Sequence, residues 1–120
     1  MSAIGPDFIA IQVRDLEASA AFYTTHLGLT RAPVSPPHAV VFATEPIAFA
    51  VREPVVDLDA VERLGWGVAL WLRAEDPQEL HDKMAAAGVP IVTEPFDGPF
   101  GRTFAFADPD GYSVTIHGQA

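Results

Sequence analysis

The side chains of this chain that could do chemistry are four histidines, two tryptophans and a thin set of cations among many carboxylates; cysteine is absent. Without cysteine there is no thiolate nucleophile, thiolate metal site or disulfide framework. His38 and His117, with Gln12, offer nitrogen and oxygen donors of the kind a divalent ion takes, and either imidazole alone could move a proton as general acid or base. His26 falls late in a helical stretch, where an imidazole meets the helix C-terminus, and His81, beside Asp82 and Lys83, is expected on a solvated helix face. Trp66 and Trp71 supply rings for stacking, and Arg73, two residues beyond Trp71, adds a cation. No Ser-His-Asp order, phosphate-binding glycine loop or zinc spacing occurs, so the sequence assigns no catalytic residue.

The elements that must position these groups follow from periodicity and turn chemistry. Asp7 to Val13 alternates as a strand does, and Leu16, Ala20, Tyr23 and Leu27 then recur at helical spacing between a capping Asp15 and a terminating Gly28. After Pro33, Pro36 and Pro37 come two short strand candidates, His38 to Thr44 and Pro46 to Arg52, joined tightly at Glu45-Pro46. Glu53 to Arg63 reads as a connection. Trp66 to Ala74 is predicted as the next strand, and Asp76-Pro77 opens a helix whose buried stripe is Leu80, Met84 and Ala87 before Gly88 ends it. Val89 to Thr93 follows, then a Pro- and Gly-rich loop from Glu94 to Gly101 with Phe96 and Phe100 as lids. Gly101 to His117 is a β-hairpin about Asp108-Pro109-Asp110-Gly111, where proline presets φ, glycine accepts positive φ and the aspartates can bond turn amides.

The halves repeat at an offset of about sixty residues, with Leu27-Gly28-Leu29 answered by Ala87-Gly88-Val89, and each half is read as βαβββ. The expected fold is α+β, two βαβββ modules forming a curved mixed sheet with helices on one face and a ligand groove on the other. One domain over 1–120 is expected, with module one at about 5–53, a connection at 54–64 and module two at 65–118. Alternation puts Ile9, Ile11, Val13, Val68, Leu70, Leu72, Tyr112, Val114 and Ile116 on the helix side. Phe8, Gln12, Ala69, Trp71, Arg73, Thr115 and His117 are left for the groove, with His38 as a neighbour and Phe100 over it.

Several motifs together resemble one family. Val-x-Asp-Leu stands before the first helix, Leu-Gly-Leu stops it, the fifth strand runs into Glu-Asp-Pro, and Gly-Arg-x-Phe is followed by Phe-x-Asp-Pro-Asp-Gly and a closing apolar strand. This set resembles the glyoxalase/bleomycin-resistance/dioxygenase family, the vicinal oxygen chelate superfamily, and covers essentially the whole chain. Metal-dependent members place His, Gln or Glu on groove positions that fall here on Phe8, Ala69 and Thr115, none a good ligand, so the resemblance implies no metal and no cofactor. Trp71-Leu-Arg-Ala-Glu-Asp-Pro is similar to the fifth strand of bleomycin-binding proteins, which implies a homodimer that sequesters a small molecule.

The net charge of −9 repels nucleic acid and anionic membranes and permits a cationic ligand. No apolar run reaches the ~20 residues of a membrane span and no leader pattern is seen, so a soluble cytoplasmic protein is expected. The function expected is metal-independent binding of an aromatic or cationic antibiotic-like molecule, through Phe8, Gln12, His38, Ala69, Trp71, Arg73, Phe100, Thr115 and His117. Two enzymatic readings stand beside it. One is a metal-dependent lyase, isomerase or dioxygenase acting on adjacent oxygens; the other is metal-free acid/base catalysis by His117 or His38.

Overall fold

A computed structural model describes residues 2–119. The chain forms two compact units, divided between Ala60 and Val61. The architecture is α+β, with two mixed sheets and one α-helix in each unit.

In the first unit, β1 (Phe8–Gln12) leads into α1 (Leu16–Leu27), then β2 (Ala39–Phe42) and β3 (Ala48–Arg52). β3 is central, parallel to β1 and antiparallel to β2. The helix starts where the Asp15 carboxylate accepts from the Ala18 amide at 3.0 Å. It stops at Gly28, whose φ of 69° is a conformation glycine adopts without a steric penalty, and the Leu29 amide then reaches back to the Tyr23 carbonyl. The alternation predicted for β1 holds. Ile9 and Ile11 share the helix side with Phe49 and Val51 across the register, and Tyr23 packs its ring 5.2 Å from Phe49. Val13, Tyr23, Phe42 and Val51 are wholly buried, each contributing on the order of 1.5–3 kcal/mol of apolar burial. Beyond β2 the fourth strand of this module is reduced to one bridge, Arg31 to Phe42.

The second unit contains β4 (Leu70–Arg73), α2 (Pro77–Ala86), β5 (Ile91–Gly98), β6 (Gly101–Ala107) and β7 (Ser113–His117), with sheet order β4-β7-β6-β5. Phe104, Phe106, Val114 and Ile116 face Met84 of α2 and are all buried. The predicted hairpin forms about Asp108, whose carboxylate accepts from the Asp110 and Tyr112 amides, both at 2.9 Å. The side chain thereby replaces backbone partners the tight turn cannot provide.

Three expectations are corrected here. Trp66 to Ala69 is not strand: the chain turns at Gly65, φ 70°, where Val68 donates to the Gly65 carbonyl, and Val68 is 76% exposed rather than under the helix. The loop expected from Glu94 to Gly101 is mostly strand. β5 continues to Gly98 through two register shifts, so only Pro99 and Phe100 remain between Gly98 and Gly101. On α2, Ala87 is exposed and caps the helix, while His81 is drawn inward, its side chain 12% exposed and its ring 5.3 Å from that of Phe104.

Candidate ligand-binding site

Every second residue of β4 and β7 points away from α2, and the parallel register sets Trp71 beside Thr115 and Arg73 beside His117. The β5–β6 turn brings Phe100 to the same place. Trp71 lies 5.8 Å from Phe100 at 77° and 5.8 Å from His117 at 55°, and Phe100 and His117 are 6.1 Å apart. These are edge-to-face and tilted contacts, the arrangement favoured by ring quadrupoles. Trp71 is nonetheless 46% exposed and Phe100 57%, so ring surface remains for a further aromatic group.

The polar groups around the rings are specific. His117 Nδ1 lies 2.8 Å from the Gly118 carbonyl, which can only accept, so Nδ1 carries the proton and the lone pair of the neutral ring sits on Nε2. Thr103, opposite His117 in the β6–β7 register, is buried and donates to the Gly101 carbonyl at 2.9 Å. Gly101 itself is forced by space: with φ at 88°, a Cβ there would lie 2.5 Å from the Gln119 backbone oxygen. The hairpin tip carrying Phe100 is therefore held against the end of the chain.

The other predicted residues lie elsewhere. Ala69 is exposed and precedes β4, so it is not a strand position. Phe8, 51% exposed, opens β1 on the helix-free face of the first unit. Gln12 lies near the opposite end of that strand, its carbonyl oxygen accepting from the Val55 amide at 2.8 Å. His38 adopts a φ of 66° and pairs with Glu53 at 2.5 Å. Trp66 is exposed, and the Arg63 guanidinium lies 4.3 Å over its ring beside a shallow depression shared with Val61 and Glu62.

His81 is the polar residue whose setting periodicity did not foresee. Its Nδ1 lies 2.9 Å from Asp82 and its Nε2 3.1 Å from Glu94, tying α2 to β5. A hydrogen bond with His81, and a second from Gln78, hold the Asp82 carboxyl below the usual 3.8.

The donor chemistry does not suit a divalent ion. Phe8 and Ala69 carry no donor and Thr115 only a hydroxyl, and among the described residues no group of three or more His, Asp or Glu side chains converges on one point.

Comparison with known proteins places these features in context. The model of the Glyoxalase/Bleomycin resistance protein/Dioxygenase superfamily matches residues 5–116. The phenazine antibiotic resistance protein EhpR of Enterobacter agglomerans is 25% identical over 94% of this chain and 91% of its own. Among solved structures, the fosfomycin resistance protein FosX of Listeria monocytogenes superposes with a TM-score of 0.75 at 16% identity, covering 99% of this chain and 96% of that one. Lactoylglutathione lyase of Agrobacterium tumefaciens gives 0.69 at 21%, covering 98% and 96%. At these identities the two structures establish likeness of fold.

Proposed function

Because the chain belongs to the glyoxalase/bleomycin resistance protein/dioxygenase superfamily, we propose that it is a small-molecule-binding protein that holds a planar aromatic ligand against Trp71, Phe100 and His117 and acts by sequestration, without a metal. The observation that carries this reading is the trio of rings with two half-exposed faces. Such apolar and aromatic surface is costly to leave in water and is recovered when a flat ligand covers it. The similarity to a phenazine resistance protein supports it, since phenazines are flat three-ring heteroaromatics. A homodimer is part of the proposal, as is a role in antibiotic resistance.

Isothermal titration calorimetry with phenazine tests the site. The wild-type chain should bind at micromolar affinity, and Trp71→Ala should weaken binding at least tenfold, about 1.4 kcal/mol, with a smaller loss for Phe100→Ala. Wild-type binding that survives Trp71→Ala unchanged would place the ligand elsewhere.

A further inference from the structure

The acidic composition argued for a cationic ligand, but the local charge at the rings has the opposite sign. The chain has seven basic side chains. Arg14, Arg31, Lys83 and Arg102 pair with carboxylates, Arg52 bonds a backbone carbonyl, and Arg63 lies over Trp66. Of these seven, the Arg73 side chain alone makes no hydrogen bond, ion pair or ring contact among the described residues. It is exposed and stands two residues from Trp71, in register with His117, on the helix-free side of β4. In a protein with a net charge of −9, where carboxylates outnumber cations more than two to one, a guanidinium left without a partner beside half-exposed rings is a group still able to accept an anion.

Resting on the aromatic-site reading above, we propose that the ligand is an aromatic carboxylate: its ring system covers Trp71 and Phe100 while its carboxylate takes the Arg73 guanidinium. Guanidinium and carboxylate are both planar and match in a two-bond fork, which an ammonium or a neutral amide cannot reproduce. A single negative charge suits the site better than a phosphate dianion, because one guanidinium offsets one charge and the field of the whole chain opposes a second. His117 complements this with Nε2, which can accept from a hydroxyl or N–H on the ligand.

The test is a matched pair of probes, phenazine-1-carboxylate and phenazine-1-carboxamide, with naphthalene-2-carboxylate and its carboxamide as a second pair, titrated calorimetrically into wild type, Arg73→Gln and Trp71→Ala. The carboxylates should bind wild type about tenfold tighter than the amides. In Arg73→Gln that preference should vanish, with amide affinity unchanged, and in Trp71→Ala all the probes should weaken. Amides and carboxylates binding wild type equally, or a preference that persists in Arg73→Gln, overturns the carboxylate assignment and leaves the aromatic site standing. Failure of both pairs to bind wild type overturns the aromatic site and the carboxylate assignment with it. Because Arg73 is exposed and unpaired, its substitution should leave the thermal unfolding curve in place, so a binding change reports the site.

Discussion

At the scale of single residues, the two units show opposite uses of a buried polar group. The Asp108 carboxylate is 5% exposed as a residue yet satisfied, accepting two turn amides. Asp108→Ala removes both bonds and leaves the amides unpaired, so it should cost about 2 kcal/mol in denaturant unfolding, whereas Asp108→Asn should recover part of that. In the first unit, the Ser19 hydroxyl is buried in α1 with no partner among the described residues. Ser19→Ala should be neutral or stabilising by about 0.5–1 kcal/mol, since it deletes an unsatisfied group and improves helix propensity; a marked destabilisation would show that the hydroxyl has a partner. The Asp108 turn could be read directly from Asp-Pro-Asp-Gly, because its geometry is dictated by adjacent residues. The burial of Ser19 could not, since Ser19 precedes the apolar Ala20 and only packing decides how far the buried stripe extends.

At the scale of elements, what could be read depended on whether local chemistry or tertiary contact set the outcome. Both helices begin at the caps the sequence names, Asp15 and Asp76, and break off at the glycines it names, α1 at its cap Gly28 and α2 at Gly88, φ 84°, directly after its cap Ala87, because capping is a matter of three or four neighbouring residues. Trp66 to Ala69 fits a period of two equally well as strand or as turn. The outcome is set by Gly65, where an added Cβ would meet the Tyr112 ring at 3.0 Å, a contact 47 positions away that no pattern announces. The same holds for His81, whose inward place depends on Phe104 and Glu94. The β5–β6 hairpin then gives a sharp expectation: Gly101→Ala should destabilise the protein by about 2 kcal/mol and also weaken aromatic ligands by displacing Phe100, while Phe100→Ala should weaken binding with little loss of stability. Acid unfolding probes the bonds that Asp82 makes within α2, to Gln78 and His81. Since Asp82 titrates below its ordinary 3.8 when folded, its contribution is complete above that value and disappears as pH falls below it. Asp82→Asn should therefore unfold more readily at neutral pH, with the difference from wild type closing in strong acid; Asp82 is exposed, so the effect is small.

At the scale of the whole molecule, the repeat at sixty residues was visible because helix stops and strand runs recur in order, and the α+β architecture follows from it. What the repeat conceals is divergence. If the residues at the family's ligand positions govern chemistry, treating the purified protein with a chelator should leave phenazine affinity unchanged, and elemental analysis should find far less than one metal per chain. A stoichiometric metal whose removal abolishes binding would refute the metal-free reading. The helix-free face of the first sheet carries Phe8, Ala10 and Gln12 of β1 beside Ala48, Ala50 and Arg52 of β3, with Val41 across the register, whereas the corresponding face of the second carries Trp71, Arg73, Thr115 and His117. An internally duplicated protein could in principle saturate with two equivalents of ligand, one for each copy of its motif. Here one copy sets the single ring of Phe8 on a face of alanines, while the other gathers Trp71, Phe100 and His117 within 6.1 Å of one another, so titration should end at one ligand per chain: the duplication multiplied the scaffold without multiplying the capacity.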